Sequence, residues 1–450
     1  MDDLNLEPAQ VKVLLPALKG PRITTALFGG IFTIDGAGHF PGLELINFIV
    51  CCADGILPDG SVKNVKMRRM SHDFARRLAA DVLPVVARSQ VLLDEQSGHA
   101  VANLLRCLEL QLANTNKPKS WEHTHFFPYT RSLVHWDARA GRTIAALGES
   151  TDIKVSIERR YLRGGGAFAF SVLRHDPDSD RLAAIRDGFG DLYPSGTDTP
   201  LETLAATLLV HGAKDSEPMT DVLESLSVVH NDRWDDLYRD GMRNIVGHDS
   251  ASPVQRIRAV MNWTGIWLVL MEAARCAEYL DRKWGGLVLD CAGTHPQLRR
   301  ASQKCLKEHL ARIDEAANGK AISEGGHIND KQVNHIKGFF SNTAAICGLL
   351  NSTKGRRHFT IKLDAIDALV LAATSKGQDM TFEHFISEWL WERCGLIIGR
   401  DAAARAGMLN AFDASIFEEN ERQFSELMRT TGMLTVYSDA TRMVSVEGAQ

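Results

Sequence analysis

The chain has 450 residues, too many for one ordinary hydrophobic core, so two or three domains are expected. Its 44% hydrophobic and 24% charged content exclude a disordered or fibrous protein. A formal net charge of -5 excludes a global attraction to polyanions, so any nucleic-acid contact must come from a local basic patch.

The N-terminus, MDDLNLEP, is acidic and has neither the positive start nor the apolar run of a signal peptide. The eight cysteines include no CxxC pair, which argues against zinc ribbons and a disulfide framework and points to a reducing, cytoplasmic setting. The most apolar segment, Met261–Met271, is too short to span a bilayer, and no membrane association is expected.

Three regions are expected: a helical one over 1–150, an α+β one over 151–318 and a C-terminal one over 335–446. In the first, a Gly-rich stretch (Ile23–Gly38) precedes a helix over Leu43–Cys52. Ser71 caps a helix over Phe74–Leu83, and Gly98–Leu112 has helical spacing.

In the second region, IKVSIERRYL, the turn Gly164–Gly166 and AFAFSVL read as a β-hairpin. Thr199-Pro200-Leu201-Glu202 is a helix start with Pro at the first position, and Ser252-Pro253 starts a longer helix to about Leu280. Leu287–Cys291 reads as a buried strand leading through a loop to a basic helix, Gln297–Ala316. The polar, Gly-containing segment Asn318–Asn334 reads as a linker.

In the third region, Leu363–Thr374 is helical, Thr381 caps a helix over Phe382–Arg393, and Gly395 ends it. Asp413 caps a helix through Arg429, and MLTVYS and RMVSV form a C-terminal hairpin. The expected fold class is therefore mainly α with small β elements, multi-domain, with a winged-helix-like module at the C-terminus.

The glycine clusters, RGGG at Arg163–Gly166 and Gly29-Gly30, lack the spacing of phosphate-binding loops. His123 and His125, at i and i+2, would share one strand face, but without further ligands they do not define a metal site. No cofactor or metal is expected. The most enzyme-like segment is Asp290, Cys291 and His295, where a strand end meets a helix start: a thiolate at Cys291 with His295 as base. The alternative is that Cys291 is buried and Asp290 pairs with Arg299 or Arg300. The carboxylate pairs Asp235-Asp236 and Glu418-Glu419 fit no nuclease or glycosidase arrangement.

Basic clusters are the remaining signal: Lys63, Lys66, Arg68, Arg69, Arg76 and Arg77; Lys354, Arg356 and Arg357; and Arg299, Arg300, Lys304 and Lys307 along one helix. They suit phosphate backbones or an acidic protein surface. In a DNA-reading winged helix, the helix before the hairpin is cationic. Here it carries Glu418, Glu419, Glu421 and Glu426 against Arg422 and Arg429, and Arg442 adds a cation on the wing.

LVLAATSKGQDMTFEHFISEWLWERCGLIIG (Leu369–Gly399) and LMRTTGMLTVYSDATRMV (Leu427–Val444) resemble the C-terminal module of accessory subunits in multi-gene bacterial anti-phage systems that act with DNA methylation or restriction. The resemblance covers the last quarter of the chain, with a looser likeness around LVLDC…LRR, and transfers no active-site residue. It implies a non-enzymatic binding or scaffold subunit of a defence or DNA-processing complex, with other subunits as partners and DNA as a candidate ligand. The competing readings are an enzyme centred on Asp290, Cys291 and His295, and a winged-helix transcriptional regulator.

Overall fold

The computed structural model describes residues 15–34, 40–70, 72–83, 88, 92, 94–110, 121, 124–136, 138–140, 155–157, 162, 164–196, 199–211, 214–220, 222–291, 293, 295–352, 354–375, 379–437 and 441–446. The protein is mainly α with small β elements. The chain divides into two compact units: Met1–Gly36 together with Leu226–Gln450, and an inserted unit, Ala37–Ser225. This differs from three consecutive regions. The N-terminal helix α1 (Gly20–Phe28) belongs with the C-terminal half, because the buried Arg275 guanidinium donates to the Phe28 carbonyl at 2.6 Å.

The inserted unit opens with α2 (Pro41–Cys51), apolar on nearly every face and buried throughout. Strand β1 (Lys66–Met70) follows, then α3 (Asp73–Ala79) and α4 (Glu95–Cys107), the latter capped by Asp94. Ser71 lies outside the described residues, and His72 occupies the cap of α3 without a side-chain bond. Strands β2 (Ala138–Ala140) and β3 (Val155–Ile157) pair antiparallel.

The hairpin expected around Gly164–Gly166 is not formed. AFAFSVL is helical, within α5 (Gly165–Arg174). Long-range packing decides this segment, because the glycines admit a close approach to α2. A Cβ on Gly166 would lie 2.5 Å from the Leu45 nitrogen. The buried Glu44 carboxylate accepts from the N–H groups of Gly164 (2.9 Å) and Gly166 (2.8 Å). It occupies the electropositive helix start that a phosphate would use in a nucleotide-binding loop.

Then come α6 (Ser179–Leu192), α7 (Pro200–Val210), β4 (Lys214–Thr220, antiparallel to β1) and α8 (Val222–Ser225). Thr199 caps α7 by accepting from the Glu202 N–H, as its Thr-Pro start predicts.

The larger unit is built on α9 (Arg233–Gly247) and α10 (Pro253–Tyr279). Helix α10 is buried along most of its length because its apolar residues surround the axis, as expected of a core helix. Trp263 and Trp267 donate indole N–H bonds to the carbonyls of Tyr238 (3.1 Å) and Trp234 (2.8 Å) on α9, satisfying the polar atoms their burial would strand.

Strand β5 (Leu287–Val288) leads to α11 (Pro296–Ser323), and α12 (Asp330–Ile346) follows. The linker expected over Asn318–Asn334 is therefore a correction: α11 runs to Ser323, and Asn329 caps α12 by accepting from the Gln332 N–H. Amphipathic packing overrides the polar composition, since Ala321 and Ile328 are both buried.

Helix α13 (Leu363–Ala373) precedes β6 (Met380–Thr381), α14 (Phe382–His384) and a π-helical segment, Phe385–Arg393. Gly395, with φ +69°, ends that run. Strand β7 (Leu396–Ile397) pairs in parallel with β5. Next come α15 (Arg400–Arg405) and α16 (Ala414–Thr430), capped by Asp413. Strands β8 (Leu434–Val436) and β9 (Arg442–Val444) form the C-terminal hairpin, and β6 adds to it in the order β6-β9-β8.

Candidate functional site

In the larger unit, two basic clusters separated by about fifty residues of sequence meet on one surface. One is the first half of α11. Between Pro296 and Arg312 it carries Arg299, Arg300, Lys304, Lys307 and Arg312 against a single acid, Glu308. The other is the tip of a β-bridged loop closed by the antiparallel pair Leu350 and Phe359. That loop presents Lys354 and Arg356 as exposed and Arg357 as half-buried.

The loop is held from within. The Asn351 side chain accepts from the His358 N–H (2.9 Å) and donates to the Arg356 carbonyl (3.2 Å), while Ser352 Oγ bonds the Lys354 carbonyl. Gly355 takes φ +78°, the left-handed turn that a Lys-Gly-Arg tip requires. The loop is fixed to α11 by Ser302 Oγ, which donates to the Phe359 carbonyl at 2.9 Å, and to α12 by Arg357, which donates to Ser341 Oγ at 3.1 Å.

Asp290 sits beneath this junction. Its backbone bridges Thr360 in parallel, and its Oδ1 accepts from the Gly293 N–H at 2.8 Å. Its buried Oδ2 lies 3.7 Å from Arg299 Nε on α11 and 3.6 Å from His358 Nε2 on the loop. One carboxylate thus lies within ion-pair range of both the helix and the basic loop, although its Oδ2 accepts no hydrogen bond. Burial lowers His358 below the ordinary imidazole range, with the Asp290 charge opposing.

Between α11 and the loop tip lies a groove of about 360 Å³, lined by Gln303, Leu306, Lys307, Leu310, Gly355, Arg356 and Arg357. The spacing of Gln303, Leu306 and Leu310 places them on one face of α11. Among the described residues no ion pair engages Lys307, Arg300, Lys354 or Arg356, whereas Lys304 lies 3.8 Å from Glu308. The groove therefore holds unneutralised positive charge on preorganised backbone, with a short apolar floor.

The remaining sequence candidates fare differently. Cys291 does not read as a nucleophile. Burial, and then the Asp290 charge, push its thiol far up, and its N–H donates to Asn420 Oδ1 at 3.0 Å. Asn420 also donates to the Leu289 and Ile398 carbonyls, so it is a structural tie across the strand ends. His295 is the cap residue of α11 and makes no side-chain cap bond. Asp290 has the Arg299 partner expected of the structural alternative.

In the inserted unit, Lys63, Lys66 and Arg68 are exposed, and the side chain of Arg69 lies outside the described residues. Arg76 and Arg77 are a correction: both are buried and leave the patch. Arg76 donates to the Thr124 carbonyl (2.6 Å) and Arg77 to Asp73 (2.9 Å), and both guanidiniums lie over the Trp121 ring. The expectation of a solvated cluster failed because the whole of α3 is buried, these two residues included.

His123 lies outside the described residues. His125 is buried and stacks on His135 at 5.6 Å between ring centroids. No group of metal-ligating side chains occurs among the described residues. Arg442, the wing cation, is paired with Glu383 and lies over the Phe382 ring at 4.3 Å. On α16, Glu418, Glu419 and Glu426 are paired with Arg400, Arg422 and Arg429.

What fold and groove define is a class: a mainly helical, two-unit protein with a cationic surface groove. Comparison with protein-family models, curated proteins and solved structures found no match to this chain. Among the described residues no helix is long and apolar enough to cross a membrane.

Proposed function

We propose that the protein is a binding subunit that holds the phosphate backbone of nucleic acid in the groove between α11 and the Lys354–Arg357 loop. The observation that supports this reading is the convergence of two sequence-distant basic clusters on one groove, with Lys307 and Arg356 facing it without acidic partners. Unpaired cations on a fixed scaffold bind phosphates by releasing counterions, a sequence-independent attraction. Among the described residues no aromatic side chain lines the groove, so the reading rests on phosphate contact and not on base stacking.

The C-terminal module, winged-helix-like in its order of elements, serves in this proposal as a protein contact. Its helix α16 carries acids engaged in ion pairs and its wing arginine is paired, a charge pattern unsuited to entering a DNA groove. With the resemblance of Leu369–Gly399 and Leu427–Val444 to accessory subunits of anti-phage systems, this supports a non-enzymatic role in a bacterial defence or DNA-processing assembly.

The test is purification of the native protein with and without nuclease treatment, followed by duplex binding measured by fluorescence anisotropy. Nucleic acid that co-purifies and is lost from the double variant Lys307→Glu/Arg356→Glu supports the proposal. Equal duplex affinity of the wild type and the double variant overturns it.

A further inference from the structure

The inserted unit contains a second concave site, independent of the groove in the larger unit. It is a pocket of about 430 Å³, within the size range of small-ligand sites. Six segments converge on it: the C-terminal end of α2, the loop that follows it to Ile56, strand β1, the turn at Arg131–Leu133, the loop at Ser195-Gly196 and the start of α7.

Two guanidiniums enter this pocket. Arg68 is exposed and has no ion pair with a described residue. It sits where the β1–β4 ladder breaks register: between Met67 and Arg69, one residue of β1 faces three of β4, among them Pro218, which has no N–H to donate. Irregularities of this kind re-aim side chains beside binding sites. Arg131 is held in place by donating to the carbonyls of Tyr193 (3.0 Å) and Val50 (3.4 Å). A guanidinium has five N–H donors, so these two bonds leave donors of Arg131 over.

Among the described residues Glu202 is the one carboxylate in the lining, and it is already engaged. Its oxygens accept from the Ser132 hydroxyl at 2.5 Å and the Ser132 N–H at 3.2 Å. Although Glu202 occupies the third position of a capping box, its carboxylate crosses to fix the Arg131-Ser132 turn instead of folding back on its own cap. Among its described residues the site therefore offers two guanidiniums against one satisfied carboxylate. Ile56 and Met70 line it beside them and suit an organic body.

We infer that this pocket binds a small phosphomonoester. A doubly charged phosphate is matched by two planar forks from different elements, and the apolar side chains accommodate what the phosphate carries.

The experiment uses the full-length chain carrying Lys307→Glu/Arg356→Glu, so that the groove in the other unit does not contribute. Inorganic phosphate and adenosine 5′-monophosphate are the probes, titrated by calorimetry and followed by phosphorus NMR. The expected result is saturable binding, tighter for the nucleotide, weakened about tenfold or more by Arg68→Ala. Lys66→Ala, an exposed cation of the same strand outside the lining, should leave it unchanged. Because Arg68 is exposed, its replacement tests the site without threatening the fold. Binding that survives Arg68→Ala undiminished, equal loss in Lys66→Ala, or no saturable binding of either probe at millimolar concentration overturns the inference.

Discussion

Replacing Glu272 by Met should stabilise the larger unit, and by more as the pH rises. Glu272 lies on α10 with 1% of its surface exposed, and neither carboxyl oxygen has a hydrogen-bond partner. The guanidinium one turn along, Arg275, is committed to Asp232 (2.7 Å), Asp235 (2.9 Å) and the Phe28 carbonyl. Burial alone therefore raises the Glu272 pKa well above its ordinary value of 4.5. Because the folded-state pKa is the higher one, the native state is favoured fully below about pH 4.5. That advantage is lost as the pH rises toward the folded pKa, at about 1.4 kcal/mol per pH unit.

In the neutral form, two buried polar atoms without partners cost roughly 1–3 kcal/mol each. Glu272→Met removes both costs while keeping the volume similar, so it should add about 2–6 kcal/mol near pH 5. Urea unfolding followed by tryptophan fluorescence reports mainly on this unit, which holds six of the eight tryptophans, Trp263 and Trp267 on the same helix among them. The Met variant should gain on the wild type as the pH is raised from 5 to 8. Parallel pH profiles, or a variant less stable than the wild type throughout, would refute the reasoning.

Three further outcomes follow from packing and polar contacts. Gly166→Ala should destabilise the inserted unit by about 3 kcal/mol or more in thermal unfolding, because its Cβ meets the backbone of α2. Glu44→Ala should cost about 2–5 kcal/mol by stranding the buried N–H groups of Gly164 and Gly166, and Glu44→Gln about half of that. Asp290→Asn should leave the helix content by circular dichroism unchanged and increase hydrogen exchange over residues 350–358, since the tie from Asp290 to Arg299 and His358 weakens.

Local signals made the helix starts legible. Thr199, Ser252, Thr381 and Asp413 all cap where their side-chain chemistry places them. The apolar surround of α10 gave its burial, and the runs MLTVYS and RMVSV gave the last hairpin. What composition could not reveal was which partner a segment meets. Ala167–Leu173 has strand-like residues but becomes a helix because Gly166 lets α5 seat directly on α2. Asn318–Asn334 reads as a linker until the helices that flank it bury Ala321 and Ile328.

At the candidate site, the two basic clusters were visible as separate runs, but their meeting depends on the parallel bridge from Asp290 to Thr360, which no local pattern signals. Arg76 and Arg77 differ for the opposite reason: a dense basic run reads as solvated, but the whole helix is buried, with both guanidiniums over Trp121 and Arg77 paired to Asp73 one turn before it. Asp290 stood out in the sequence as an acid beside a cysteine. Its structural role is to brace two cationic elements, and the signal for that role was Arg299 nine residues on.

The central claim is most directly tested by the salt dependence of duplex binding. If Arg300, Lys307, Lys354 and Arg356 each neutralise a phosphate, the logarithm of affinity should fall against the logarithm of salt with a slope of about -3 to -4. The slope should shrink by about two units in Lys307→Glu/Arg356→Glu. A shallow slope shared by the wild type and this variant would contradict the account.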